Sequence, residues 1–307
     1  MDILKYFKAL SDETRLRLVN ILVHHELKVG EIVSVLEMGQ SRISRHLKIL
    51  SDAGLVESWK EGVWGFYRIV ENGPGRQFID VIQYLFDDSP IFANDLKRAF
   101  MIMEKRKSDT RRFFNTIAAS WDRFKQEIIG DFDLAEAMLD HIGHYDAGVD
   151  LGCGTGDLLE HMVRHAGRVI GVDSSPAMLD RARERFAGHA DHIDFRLGEI
   201  EHLPLRDGEV DFAVISLVLQ YAVAPETAIA EASRVVRPAG LFVVADFQRH
   251  GNKDLFQRFG ARWPGFSRQE MEGWLTANGF EVKNVTNHPL EKGLTIMIYQ
   301  SERMMPV

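Results

Sequence analysis

The chain is 307 residues long, 45% hydrophobic and 27% charged, with a formal net charge of −8. This allows a full core and favours two domains over one, while the longest apolar run, about residues 212–224, is too short to span a bilayer and is broken by Ser216 and Gln220. A single cysteine, Cys153, excludes an intramolecular disulfide framework, and the first residues lack the layout of a secretory signal, so a cytoplasmic protein without a membrane partner is expected.

Charge is uneven along the chain. Residues 1–70 carry 10 Lys+Arg against 9 Asp+Glu, a net +1, which leaves −9 on the rest. The acidic part is poorly suited to nucleic acid, whereas the first 70 residues could bind DNA if their positive charge gathers on one face. Capping residues at Ser11-Asp12-Glu13 precede apolar positions Leu16, Leu18-Val19 and Leu22-Val23, predicting a helix from about Asp12 to His24-His25. A second helix is expected over Val29–Leu36, a turn at Gly39, and a third helix with Ile43, Leu47 and Leu50 on one face before Gly54 stops it. Two helices joined by a glycine turn make a helix-turn-helix.

At 100° per residue, Ser41, Arg45 and Lys48 project opposite that apolar face with Ser44 beside them, as a major groove requires. The β-rich runs around Glu61-Gly62 predict a hairpin wing that places Lys60 and Arg68 for phosphates. An ordinary helical domain with a solvated basic face is the plainer alternative, and the order helix-turn-helix-hairpin argues against it. Residues 7–16 (Phe-Lys-Ala-Leu-Ser-Asp-Glu-Thr-Arg-Leu) and 40–50 (Gln-Ser-Arg-Ile-Ser-Arg-His-Leu-Lys-Ile-Leu) give this segment, over about residues 4–70, its resemblance to the ArsR family of winged-helix repressors. The resemblance implies a homodimer on double-stranded operator DNA, read by Gln40, Ser41, Ser44, Arg45 and His46. The cysteine pair with which many relatives sense metals is missing from Leu27-Lys28-Val29-Gly30-Glu31, which excludes thiolate sensing there, and no metal site is expected.

Residues 71–112 read as a helical dimerisation and linker region. Its basic cluster, Lys105-Arg106-Lys107 and Arg111-Arg112, fits a solvated helix end better than a phosphate contact. From residue 113 to 301 strands and helices alternate, predicting a doubly wound, Rossmann-like α/β domain. Strands are expected to end at Leu151 and Asp173 and to cover His192–Leu197, Asp211–Ser216 and Leu241–Asp246. Two late strands, Glu281–Thr286 and Thr295–Gln300, have no helix between them. Helices are expected over Asp157–His165, from a Ser175 cap with Pro176 first, and from a Ser267–Glu270 capping box to Gly279.

Val149-Asp150-Leu151 runs into a turn with glycines at 152, 154 and 156, which allow the backbone close to a bound adenosyl group. Asp173 closes the next apolar run 17 residues after Gly156, where a carboxylate accepts both ribose hydroxyls. Dinucleotides fit less well, because the spacing departs from Gly-x-Gly-x-x-Gly. His161 and His165 have a metal-compatible spacing, but Leu158, Leu159 and Met162 form the buried stripe, so these histidines, like His141 and His144, read as solvated.

Ile117-Ala118-x-x-Trp121-Asp122, the glycine turn, Val172-Asp173-Ser174-Ser175-x-x-Met178-Leu179, Gly198-Glu199-Ile200-Glu201-His202-Leu203-Pro204 and Arg234-Val235-Val236-Arg237-Pro238-x-Gly240 resemble class I S-adenosylmethionine-dependent methyltransferases over about residues 113–300. The resemblance implies that Asp150 and the glycines hold the methionine end and Asp173 the ribose. It gives the adenine to Glu199 and the Ile200 amide, with Met178 against the base and Ser216 on the floor; Ser174 and Gly198 belong to the same words.

Related enzymes often place a His pair where this chain has Gln220-Tyr221, and no catalytic residue is assigned. Taken together, the resemblances imply a transcriptional regulator whose methyltransferase-like domain binds S-adenosylmethionine or S-adenosylhomocysteine as effector. It would resemble the S-adenosylhomocysteine-responsive repressors of methionine-cycle genes, which favours the thioether. The alternative is an active methyltransferase for a small molecule with an appended DNA-binding head.

Overall fold

The computed structural model describes residues 3–61, 64–86, 89–140, 142–188, 193–252 and 260–305. The chain forms two compact units, Met1–Arg106 and Lys107–Val307. The first therefore takes in most of the stretch read as a linker.

The first unit opens with α1 (Ile3–Leu10), a helix that capping signals did not announce, followed by α2 (Glu13–His24). The Asp12 side chain caps α2 by accepting the Arg15 amide at 3.2 Å. α3 (Val29–Leu36) and α4 (Gln40–Asp52) follow, and Leu18, Ile21, Ile32, Val35, Ile43, Leu47 and Leu50 are fully buried between these helices. Strands β2 (Val56–Glu61) and β3 (Trp64–Ile69) pair antiparallel as the expected wing, and the two-residue β1 (Leu27–Lys28) lies on the other side of β3. After α5 (Pro74–Ile82), helix α6 (Pro90–Ile117) begins. In the first unit it supplies Asp95, which forms a buried two-point ion pair with Arg17 of α2 at 2.7 and 2.8 Å.

The second unit begins with the end of α6, then α7 (Trp121–Ile129) and α8 (Leu134–Leu139). Its sheet holds β4 (Tyr145–Leu151), β5 (Ala166–Asp173), β6 (Ile193–Leu197), β7 (Val210–Ser216), β8 (Val236–Phe247), β9 (Phe280–Pro289) and β10 (Thr295–Arg303), in the order β6-β5-β4-β7-β8-β10-β9. The first five strands pair in parallel, and β10 lies antiparallel between β8 and β9. Parallel strands covered on both faces must be apolar throughout, and all of β7 except Ser216 is buried. Because β4 has β5 on one side and β7 on the other, the strand order reverses there and a crevice opens at its carboxyl end.

Helices α9 (Leu159–Met162), α10 (Pro176–Arg185) and α11 (Pro225–Val235) connect these strands, and Ser267 and Glu270 form the expected capping box of the helix Arg268–Ala277. α9 is shorter than the predicted Asp157–His165. Asp157 is drawn into ion pairs with Lys125 and Arg185 before the helix starts, and His165 leaves it to bond the Ile142 carbonyl at 3.1 Å. No helix among the described residues is long and apolar enough to cross a membrane.

Candidate functional site

The carboxyl ends of β4, β5 and β7 meet in one cavity of the second unit. Asp150, Gly152 and Gly154 enter it from β4, Asp173 and Ser174 from β5, and Ser216 from β7. Met178 comes from α10, while Glu199 and Ile200 follow β6. Gly156 and Gly198, expected with them, do not line it. A Cβ on Gly156 would meet Phe186 at 2.8 Å, one on Gly198 would meet Pro204 at 2.5 Å, and one on Gly152 would meet Val218 at 2.6 Å. The space these glycines leave is thus filled by the domain's own side chains. Gly154 is the member of the turn that leaves room toward the cavity, with the Trp121 indole 3.5 Å from where its Cβ would stand.

Five carboxylates line the cavity, Asp150, Asp157, Asp173, Glu199 and Glu201, against three cations, Lys107, Arg111 and Lys125. Asp173 accepts the amides of Gly154 at 2.9 Å and Ser175 at 2.8 Å, and burial still holds its carboxyl above the usual range. Glu199 pairs with Lys107 at 2.7 Å, and Glu201 accepts the Val223 amide at 2.8 Å. For Asp157 burial is outweighed by Lys125 and Arg185, which hold its carboxyl low. Asp150 differs from these four. It is 2% exposed, and its Oδ1 is buried without a hydrogen-bond partner among the described residues. Burial, reinforced by Asp173 and Asp157 and opposed by Lys125, pushes its carboxyl up to about 7.

One wall escaped the sequence reading. Lys107, Thr110, Arg111 and Phe114 lie at i, i+3, i+4 and i+7 on α6 and line the cavity together. Two members of the basic run are drawn inward, Arg106 to Glu31 at 2.7 Å within the first unit and Lys107 to Glu199 within the second, while Lys105, Arg111 and Arg112 are exposed. The Phe114 ring meets Trp121 at 5.4 Å and Tyr221 at 4.8 Å, both at steep angles, and all three rings line the cavity. Thr155 donates to Asp122 at 2.6 Å, tying the start of α7 to the glycine turn. Leu217, also on the wall, holds φ at 56°, a left-handed conformation rare for a branched side chain.

The histidines separate. His161 is half-buried on α9, His165 is bonded to Ile142, His144 is exposed, and His141 lies outside the described residues. Among the described residues no group of three or more His, Cys, Asp or Glu is placed to hold a metal ion.

In the first unit, α4 leaves Gln40, Ser41, Ser44, Arg45 and Lys48 exposed, and Lys48 pairs with Asp52 one turn on at 3.4 Å. His46 departs from the expected set. Three residues after Ile43 and four before Leu50, it falls inside the apolar stripe, 9% exposed, with Nδ1 3.6 Å from Asp12; burial lowers its pKa. Arg68 is also diverted, because Glu57 at 2.7 Å, Glu26 at 3.2 Å and Glu71 at 2.5 Å surround its guanidinium. The Lys60 side chain lies outside the described residues.

Residues 12–58, which hold α2 to α4 and the start of the wing, match the family described as bacterial regulatory proteins of the arsR family, and residues 149–244 match a methyltransferase domain. The chain joins an arsR-family domain to a methyltransferase domain. The curated relatives resemble parts of it. An uncharacterised 37.1 kDa transposon protein of Streptomyces fradiae is 44% identical over 33% of this chain and 30% of its own length. A malonyl-[acyl-carrier protein] O-methyltransferase of Serratia marcescens is 33% identical over 49% of this chain and 58% of its own. An arsenite methyltransferase of Halobacterium salinarum is 38% identical over 32% and 26%. The chain thus spans less than two thirds of the length of each of these relatives.

Among solved structures, a methyltransferase bound to a methyltransferase activator from Haloferax volcanii superposes with a TM-score of 0.54 at 20% identity, over 64% of this chain and 99% of that one. Geranyl diphosphate C-methyltransferase of Streptomyces coelicolor, solved with S-adenosyl-L-homocysteine, gives 0.50 at 20% identity over 55% and 78%. These likenesses establish the fold of the methyltransferase domain.

Proposed function

We propose that the chain is a DNA-binding transcriptional regulator whose methyltransferase domain takes S-adenosylmethionine or S-adenosylhomocysteine as effector. The observation that carries this reading is the pairing, in one chain, of an arsR-family recognition helix that leaves Ser41, Ser44, Arg45 and Lys48 exposed with a cavity built on Asp173 and Glu199. Asp173 and Glu199 suit ribose and adenine as hydrogen-bond acceptors, Met178 offers an apolar face to the base, and the orphaned Asp150 carboxylate suits a cationic part of the ligand. Exposed Arg45 and the two serines suit base edges and phosphates of a dimer's operator.

A second reading, methyl transfer to a small acceptor, draws on the methyltransferase names of the curated relatives. The adenosyl sulfonium is an activated donor, so in-line positioning of an acceptor supplies most of such a rate. An arsenic acceptor held by several thiolates is excluded for a chain whose one cysteine, Cys153, is buried. Operator affinity measured without ligand and with each nucleoside at saturation separates the readings. A nucleoside-dependent affinity supports regulation, and three equal affinities together with turnover on an acceptor support the enzyme.

A further inference from the structure

Resting on the regulatory reading above, we infer that α6 is the element through which the cavity and the helix-turn-helix act on each other. Residues 107–117 form a lid on the cavity, and Arg98 and Arg106 carry the state of that lid to α3.

The helix is held in two different ways along its length. In its first part Asp95, Ala99 and Met103, every fourth residue, are buried, and Asp95 closes the two-point pair with Arg17. From Glu104 to Ile117 no residue is fully buried. What holds this part is a series of partly exposed contacts along the cavity. Lys107 pairs with Glu199 at 2.7 Å, Arg262 donates to the Thr110 hydroxyl at 2.7 Å, Phe114 meets Trp121 and Tyr221, and the Ser175 hydroxyl donates to Asn115 Oδ1 at 2.7 Å. Ion pairs of such exposure add little stability, and a segment with few buried apolar contacts is among the first to open. Lys107, Thr110, Arg111 and Phe114 line the cavity, so any ligand that fills it adds contacts to this segment and favours its closed state.

Upstream, the same helix clasps α3 at both ends. Arg98 donates to the Val35 carbonyl at 3.2 Å and pairs at 2.9 Å with Glu37, the residue that caps the end of α3. Arg106 bonds Glu31, in the first turn of α3, at 2.7 Å. The two arginines are separated by a rise of about 12 Å, which matches the length of the eight-residue α3. Glu31 also accepts the Lys28 amide at 2.8 Å in the capping box of α3, so a pull on Arg106 bears on the start of the helix that precedes the recognition helix. Arg106 adjoins Lys107, the first residue of the lid. A nucleoside that favours the closed lid therefore biases the clasp on α3, and operator DNA that favours one state of the clasp biases the lid in return.

The test is amide exchange and operator binding on the full chain with S-adenosylhomocysteine as ligand. Saturation should slow exchange over residues 107–117 by about tenfold or more, change residues 95–103 little, and alter exchange over α3. Operator affinity should shift by about fivefold or more in the unaltered chain. With Arg98→Met and Arg106→Met together the shift should shrink below about twofold, while nucleoside affinity stays within about twofold of its original value. Nucleoside binding that leaves exchange over 107–117 unchanged overturns the lid and leaves the adenosyl reading standing. An operator shift of full size in the double variant overturns the transmission and leaves the regulatory reading standing. No nucleoside binding, or no operator shift in the unaltered chain, overturns the regulatory reading and the inference with it. Where the double variant fails to fold, exchange over α3 in the unaltered chain decides, and its indifference to the nucleoside sinks the proposal.

Discussion

The Asp173 carboxylate accepts the backbone amide of Gly154 at 2.9 Å, so the acid at the end of one strand fixes the turn that follows its neighbour. The same side chain lines the cavity, and its removal should act twice. Asp173→Ala should weaken nucleoside binding by about 2–4 kcal/mol through lost charge-assisted hydrogen bonds, and should loosen the glycine turn. Calorimetry on a variant shown to be folded checks the first effect, and amide exchange at Gly154 the second.

Asp150→Asn should stabilise the ligand-free protein at high pH. The native carboxyl titrates near 7, above its unfolded value, so the folded state holds its proton more tightly. Asp150 therefore reduces stability progressively as pH rises from about 4 through about 7, and the penalty is complete above that. The isosteric amide should raise stability by about 1–3 kcal/mol at pH 8 or so and change little near pH 4. Thermal melts at the two pH values, with an equal shift at both counting against this account, are sufficient.

Ligand binding should show the complementary dependence. A cation that engages ionised Asp150 must displace a proton below about pH 7, so the affinity for S-adenosylmethionine should fall there, approaching about tenfold per pH unit, and level off above it. Calorimetry in buffers of different ionisation enthalpy reads the displaced proton directly.

On the recognition helix, Arg45→Ala should cost about 1–3 kcal/mol on specific DNA and relax base preference. Arg68→Ala should lower the melting temperature while leaving the DNA affinity of the folded fraction nearly unchanged, since three carboxylates already occupy its guanidinium. Fluorescence anisotropy over a salt series distinguishes the two.

Asp95→Ala should destabilise the first unit by about 3–5 kcal/mol, because it strands Arg17 as a buried, unpaired cation. Replacing both partners with apolar residues of similar volume should recover most of that loss, as chemical denaturation of the single and double variants can measure.

Much of the architecture was legible in local chemistry. The Asp12 cap, the Ser267–Glu270 box and the Ser175-Pro176 start are signals that act within a few residues, and each helix begins where they stand. What stayed hidden depends on distant partners. Nothing near Lys107 names Glu199, 92 positions away, and nothing near Arg68 names Glu26, so each cation read as solvated or as a phosphate contact. His46 is a different case, since its place between Ile43 and Leu50 already put it in the buried stripe, and family likeness outweighed periodicity. Gly152 and Gly156 of the turn and Gly198 after β6 face Val218, Phe186 and Pro204, neighbours that only the packed domain reveals, while Gly154 keeps its room toward the cavity.

The sole thiol gives the chain a built-in reporter. Cys153 is buried between two glycines on the cavity wall, and burial, with the charges of Asp173 and Asp150, raises its pKa well above that of a free cysteine. Alkylation of the intact protein is therefore limited by how often the glycine turn opens, and a bound nucleoside closes the approach. The rate at which one small maleimide is consumed becomes a clock for that opening, readable by mass spectrometry at a single site with no engineered label.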